Sequence, residues 1–284
     1  MIRARGGRDN LLGLLARSLP RTMNDALDRL TDGLHRLELD GGRAALAKVR
    51  RAAPRGFFAA EARGLEALRR TGTLRTPEVF AVAGHGILIE DLGSGRADRA
   101  GWERAGIRLA RLHRHRGQAF GFGHDGWCGD SPQDNTRCHE GHAFFAEHRL
   151  RPQASRARGL LDADDAARIE RIGERLPELV PNMPPVLIHG DLWTANLHTC
   201  ADGELALIDA GAVHYGWAEA DLAMLTLFGE PPRAFFAAYE SESGSDGSWR
   251  ERAPLYNLYH LLNHLNLFGA GYLGAVRAVL GRYG

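Results

Sequence analysis

At 284 residues, 44% hydrophobic and 25% charged, the chain has the composition of an ordinary globular protein with room for one large or two small domains, which excludes extensive disorder. Its formal charge is +1, 36 basic residues against 35 acidic, so no global field exists to recruit nucleic acid or an anionic membrane, and a charged ligand must be met locally. The three cysteines, Cys128, Cys138 and Cys200, are odd in number and follow no framework spacing, which points to free thiols in a reducing compartment.

Met1 to Asn10 carries arginines, but the apolar stretch behind it, Leu11 to Leu15, is too short and too soon charged for a signal or membrane segment, so a cytoplasmic location is expected. Leu11 to Leu30 has helical spacing. Leu34 to Val49 then alternates as two short strands around the turn Asp40-Gly41-Gly42. Lys48, in the second strand, is the one lysine among the 36 basic residues, the rest being arginine. On a solvated surface the two are nearly exchangeable, so a single retained lysine marks a place where a compact ammonium on a flexible stem is required.

Phe57 to Arg70 reads as an amphipathic helix, preceded by Pro54 and stopped by Thr71-Gly72. Phe57, Leu65 and Leu68 share one face of it, and Glu61 falls in the middle of that face, where a carboxylate is costly unless paired. Lys48 is a candidate partner; a Glu61 exposed at the rim is the alternative. Glu78 to Val82 and Gly86 to Leu92 are two further strands separated by Gly84, and Gly93 to Gly95 is a joint. The chain is therefore divided into a lobe over 1–92 and a lobe over 93–284.

Helical periodicity dominates the second lobe: Trp102 to His115, His142 to Leu150, Asp164 to Leu179, Pro232 to Tyr239 and Ala253 to Leu267. Ser241 to Ser248 is at most a surface loop. The exception is Val186 to Asp209, where the apolar runs Val186 to Ile188 and Leu205 to Ile208 flank a polar loop and the turn Ala201-Asp202-Gly203. The fold class is thus α+β, with a small β-rich lobe followed by a larger, mainly helical one.

That exceptional stretch holds the most specific signal. His189-Gly190-Asp191-Leu192-Trp193-Thr194-Ala195-Asn196 is followed, thirteen residues after the asparagine, by Asp209 at a strand end. Each piece alone is commonplace, since His-Gly-Asp is a frequent turn and a strand-end Asp often only a cap. Together they are similar to the H-x-D-x-x-x-x-N catalytic loop and the following metal-binding aspartate of protein-kinase-like enzymes. A loop leaving one strand and returning on the next can aim an acceptor-side carboxylate, Asp191, and two metal ligands, Asn196 and Asp209, into one cleft. Lys48 oriented by Glu61 would reach the nucleotide phosphates, and Ile87 to Leu92, with Glu90 and Leu92, sits where a hinge would meet adenine.

His189 to Asn196, Glu219 to Met224 and Tyr256 to Gly269 closely resemble the fructosamine kinase (ketosamine-3-kinase) family. So do Phe57 to Leu68, Glu90 to Leu92, Gly121 to Asp125 with Ser131 to Asn135, and Phe144 to Leu150, so the likeness runs from about Ala45 onward. The resemblance implies a two-lobed protein-kinase-like fold of the aminoglycoside-phosphotransferase type, with ATP and Mg²⁺. It also implies transfer to the sugar 3-hydroxyl of ketosamines, free or protein-bound. By the same resemblance Trp193 would wall the sugar site, with His189 and Glu219 on the substrate side and Asp221 supporting the loop. Asn263, His264 and Asn266 are expected to be satisfied hydrogen-bonding residues of a leucine-rich helix.

Two departures from the family pattern stand out. The family usually reads Asp-Pro-Ala where this chain reads Asp209-Ala210-Gly211-Ala212, and Thr31-Asp32-Gly33-Leu34 has one glycine where a nucleotide-covering loop tends to have two. That loop also lacks a cysteine, so a modest ATP affinity and no thiol regulation there are expected. A kinase for another hydroxylated amine is one alternative, and a nucleotide-binding pseudokinase another, though a scaffold has no use for Asp191. Cys128, Cys138, His139 and His142 match no compact zinc module. A monomer is expected, without nucleic-acid or membrane partners.

Overall fold

The computed structural model describes residues 3–4 and 23–284; the expected helix over Leu11 to Leu30 lies partly outside them, and its end is α1, Met23–Asp28. A five-stranded sheet forms the small lobe from β1 (Arg3–Ala4), β2 (Gly33–Glu38), β3 (Ala44–Val49), β4 (Val79–Ala83) and β5 (Gly86–Glu90), in the order β1-β2-β3-β5-β4. The β2–β3 turn places Gly41 at φ 84° and Gly42 at φ 78°, the left-handed conformation that a tight hairpin demands and glycine adopts without strain.

Strand alternation decides what β3 offers to each side. Ala45, Ala47 and Val49 bury against Leu27, Leu37 and Leu88 on the outer face, which leaves Leu46 and Lys48 on the opposite face. Lys48 stands across from Leu34 on β2 and from Ile87 on β5.

Between β3 and β4 runs α2, Phe57–Arg69. Its buried residues Phe58, Leu65 and Leu68 join one apolar core that continues from Ile87 and Ile89 into the larger lobe. At Gly64 the helix touches the carbonyl of Ala210 so closely that a β-carbon would collide with it.

After β5 the chain crosses to α3, Arg99–Leu112, whose start is fixed by Asp98 accepting a bond from the Gly101 amide at 2.7 Å. The helix therefore begins three residues before Trp102, where apolar spacing alone put it. The larger lobe continues with β6 (Gly126–Cys128), β7 (Ser131–Gln133), α4 (Gly141–Phe145), α5 (Arg151–Arg156) and α6 (Ala163–Leu179). A π-turn over Ala146–Leu150 joins α4 to α5, so the helix expected from His142 is continuous but irregular. Then follow β8 (Val186–Ile188), β9 (Leu197–Thr199), β10 (Leu205–Leu207), β11 (His214–Gly216), α7 (Ala218–Met224), α8 (Arg233–Ser243), α9 (Trp249–Phe268) and α10 (Leu273–Tyr283). β8 pairs with β11 and β9 with β10, so two small ladders brace the polar loop after β8. Gly244, at φ 76°, ends α8 inside the stretch expected to be loop. No helix among the described residues is long and apolar enough to cross a membrane.

Candidate active site

The loop after β8 is held from beneath. Asp221 on α7 accepts bonds from the backbone amides of His189 at 2.7 Å and Gly190 at 2.9 Å, and lies 3.3 Å from Nε2 of His113. Burial works against charge on Asp221, but its donors, His113 foremost, hold its pKa below the usual carboxylate value. Gly190, at φ 80°, packs against the carbonyl of Ala212 with no space for a side chain. His189 points inward. Its Nε2 lies 2.8 Å from the carbonyl of Ile208, and its Nδ1 accepts from the Asp191 amide at 3.3 Å.

With its backbone fixed, the loop presents Asp191 to the cleft between the lobes. Burial raises the Asp191 carboxyl to about 6; Asp209 and Asp221 add to the rise and His189 opposes it. Asn196 is buried and spends its amide nitrogen on the Asp191 carbonyl at 2.8 Å. Its amide oxygen, the hard donor that magnesium prefers, is the atom left for a ligand. Asp209 is the one non-glycine residue at positive φ, 57°, among the described residues, a conformation that Asp tolerates better than most side chains. It contacts Lys48, whose Nζ also lies 2.6 Å from Glu61 Oε1. Burial would lower the Lys48 pKa, but Glu61 and Asp209 together outweigh it and raise it.

Asp191, Asn196, Asp209, Lys48, Glu61 and Trp193 line one cleft of about 500 Å³. An adjoining cleft of about 540 Å³ shares Leu34, Lys48 and Asp209 with it and is otherwise walled by Leu46, Ile89, Glu90, Leu92 and Ile208 among others. The first holds charge and hard oxygen donors; the second is largely an apolar slot at the sheet's end.

The sequence profile described as "Fructosamine kinase" matches residues 33–283. The chain belongs to the fructosamine kinase family. A Synechocystis protein named "Probable ketoamine kinase" is 41% identical over 241 residues, 82% of this chain and 81% of that one. The chloroplastic protein-ribulosamine 3-kinase of Arabidopsis thaliana is 33% identical over 256 residues, covering 83% of this chain and 74% of its own. A crystal structure assigned as a fructosamine-3-kinase of Thermobifida fusca superimposes with a TM-score of 0.81 at 36% identity, over 87% of this chain and 88% of that chain. An aminoglycoside phosphotransferase solved with streptomycin and ATP aligns at a TM-score of 0.58 over 96% of this chain and 97% of its own; at 14% identity this likeness concerns the fold alone. The chain is thus a kinase of protein-kinase-like fold.

Within this fructosamine kinase fold, some anticipated residues lie away from the open cleft. Glu219 is gripped by Arg252 through both carboxylate oxygens, at 2.6 and 2.8 Å, and by the Tyr256 hydroxyl at 2.8 Å. His189 is buried under the loop it belongs to. The Glu90 side chain, at the edge of the apolar slot, is taken by Arg75 at 2.7 Å. Asn263 and Asn266 make internal bonds, to Cys128 and to Gln153. His264 differs: it stacks on Phe228 at 4.8 Å and meets Phe268 and Tyr272 at 5.1 and 5.0 Å. Trp193 meets Phe228 edge-on, so an aromatic wall runs outward from the mouth of the cleft. Phe228 and Phe268 went unnoticed because an exposed aromatic and a core aromatic look alike in sequence.

The altered Asp209-Ala210-Gly211-Ala212 segment is wedged between α2 and β6. Gly64 abuts Ala210, and the Trp127 amide donates to the Gly211 carbonyl at 2.9 Å. Of the sequence's cysteine and histidine cluster, Cys138 bonds the Glu140 carbonyl and His142 the Val180 carbonyl, apart from Cys128.

Proposed function

We propose that the protein uses ATP and Mg²⁺ to phosphorylate the sugar 3-hydroxyl of a ketosamine, a sugar adduct of an amine, acting in the cytoplasm on a small or a protein-bound acceptor. The observation that carries the reading is a single cleft lined at once by Asp191, Asn196, Asp209 and Lys48. That set comprises one carboxylate for the alcohol, two oxygen ligands for a hard cation and one ammonium for phosphate. The Asn196 oxygen and the half-exposed Asp209 carboxylate fit magnesium and would hold it; when bound, it supplies positive charge beside the transferring phosphoryl group.

The protein's own groups do the rest. Glu61 keeps the Lys48 ammonium aimed into the cleft, and the apolar slot of Leu46, Ile89, Leu92 and Ile208 excludes water around a planar base. Asp191, raised to about 6, is ionised at neutral pH yet basic enough to take the hydroxyl proton as the oxygen attacks phosphorus. Trp193 offers an indole face for the C–H side of a sugar. The ketosamine is favoured over other hydroxylated amines by the named activities of the relatives, a ketoamine kinase and a ribulosamine 3-kinase.

The test is a coupled ADP-release assay with fructoselysine, ribuloselysine and an aminoglycoside, with NMR to locate the phosphate. Turnover on a ketosamine, phosphate on O3 and a loss of at least ~100-fold in Asp191→Asn are expected. Turnover on the aminoglycoside alone, or wild-type turnover in Asp191→Asn, would overturn the proposal.

A further inference from the structure

Beneath the cleft lie two donors that the proposed reaction does not use, Cys128 and His260, set against one that it does, Asp191. Cys128 ends β6, one residue before Gly129 of the cleft lining, and its Sγ is 3.8 Å from Nδ1 of His260 on α9. The same nitrogen is 3.7 Å from Oδ1 of Asp191. The sulfur, nitrogen and oxygen all lie within 4.8 Å of one another, the only such trio of metal-capable side chains found among the described residues. Chain separation hides it: Cys128 and His260 are 132 residues apart.

Thiolate, imidazole and carboxylate are zinc's ligands, at about 2.0 to 2.3 Å from the ion. A tetrahedral ion with such bonds spaces its ligand atoms roughly 3.3 to 3.6 Å apart. Two of the three edges therefore need to close by only a few tenths of an ångström, and the sulfur-to-oxygen edge, within 4.8 Å, by at most about 1.5 Å. Magnesium, which takes hard oxygens in an octahedron, does not suit sulfur and nitrogen, so the trio is chemically distinct from the Asn196 and Asp209 pair. The sulfur already has a supporting donor, because the Asn263 amide lies 3.4 Å from Sγ and donates to the Cys128 carbonyl at 3.1 Å. Burial and the neighbouring Asp191 push the Cys128 thiol up while the Asn263 N–H opposes them, so the ion itself must displace the proton. Cys128 and His260 are buried while Asp191 opens to the cleft, so three protein ligands would leave the fourth position facing solvent, an open zinc geometry.

We propose that Cys128, His260 and Asp191 bind one zinc-class divalent ion per chain, and that this ion switches the enzyme off by occupying the Asp191 carboxylate. On binding, the Cys128 S–H bond breaks, its proton passes to water and an S–Zn bond forms, with no change of oxidation state. The inhibitory half rests on the reading of Asp191 as the acceptor-side base. The binding half does not.

The experiment titrates the full chain with Co²⁺, then Zn²⁺, in excess Mg²⁺, and follows the thiolate-to-cobalt charge-transfer absorption. One cobalt per chain with that band, displaced by one zinc, is expected; Cys128→Ser loses the band and His260→Gln weakens binding at least ~10-fold. In the kinase assay at saturating ATP and Mg²⁺, stoichiometric zinc should stop turnover, and the half-inhibitory concentration should rise at least ~10-fold in either variant. Absence of the band in the wild-type chain overturns the proposal whether or not the variants fold. Equal zinc inhibition in wild type and both folded variants overturns the switch, placing zinc at the magnesium ligands. A cobalt band with no turnover on any acceptor upholds the metal site and sinks the kinase reading instead.

Discussion

The Lys48 ammonium lies 2.6 Å from Glu61 on α2 and also contacts Asp209 beyond β10, so one side chain ties the sheet, the helix and the loop after β10 together. Glu61 is buried, and removing its partner strands a carboxylate away from water. Lys48→Met is therefore predicted to destabilise the fold by about 3 kcal/mol and to weaken nucleotide binding at least ~10-fold. Adding Glu61→Gln should restore most of the stability and none of the nucleotide affinity. Urea denaturation and nucleotide titration of the single and double variants check this; recovery of both properties together would mean that Lys48 acts only as a structural counter-ion. Lys48→Arg should not rescue binding, because a planar fork cannot replace a point charge on a flexible stem.

If Asp191 is the base proposed above, it sets the pH response. Its carboxyl is raised by burial to about 6 from an ordinary value of 3.8, so the folded protein keeps a proton there in a window where the unfolded chain has lost it. Turnover that needs the carboxylate should fall about tenfold per pH unit below pH 6 rather than below pH 4. The sign for stability is opposite to that of an ion-paired acid: this group costs stability as pH rises from 3.8 through about 6. Asp191→Asn should accordingly melt above wild type at pH 8 and lose that advantage near pH 4. Melting curves at both values, with a kcat profile, test the two halves separately.

Asp221 acts through the backbone of the loop. It accepts the amides of His189 and Gly190 while fully buried, so Asp221→Ala leaves two backbone amides without partners and also takes the carboxylate away from His113. A loss of about 2 to 6 kcal/mol is expected, at about 1 to 3 for each of the two orphaned amides. In whatever fraction folds, kcat should drop while the KM for ATP stays near wild type, because Asp221 holds Asp191 and touches neither phosphate nor adenine. A changed KM for ATP with unchanged kcat would count against this role.

How much of this was legible beforehand depends on the range of the signal. Lys48 and Glu61 could be paired because one was the lone lysine and the other broke an apolar helical face; both are local irregularities. The two-lobed α+β plan was legible because the change from strand alternation to helical spacing spans tens of residues. Strands β6, β7, β9 and β11 were not, since three residues do not establish a period. Sequence spacing also carries no side-chain direction around a short helix: Glu219 was expected near the acceptor, yet it turns to Arg252 and Tyr256, while Asp221 two residues on faces the loop. Contacts between distant segments, such as Cys128 with His260, left no trace at all.

The aromatic wall makes the last prediction. Trp193, Phe228 and Phe268 are exposed by 37%, 38% and 66%, and His264 bridges the last two. Contiguous aromatic surface at the mouth of a cleft is costly to hydrate and gains when a ligand covers it. If the sugar end of the acceptor reaches Asp191 as proposed above, Trp193 would meet the sugar and Phe268, further out, would meet whatever the amine carries. Phe268→Ala should therefore lower kcat/KM about tenfold for a glycated peptide, the worth of one ring contact, and leave a small ketosamine nearly unaffected. Trp193→Ala should lower it for both. Neither change should move the KM for ATP, and Phe268→Ala, a surface substitution, should alter stability by less than about 0.5 kcal/mol. Steady-state kinetics on the two acceptors decides the matter: equal losses on peptide and small ketosamine in Phe268→Ala would place the amine's path elsewhere.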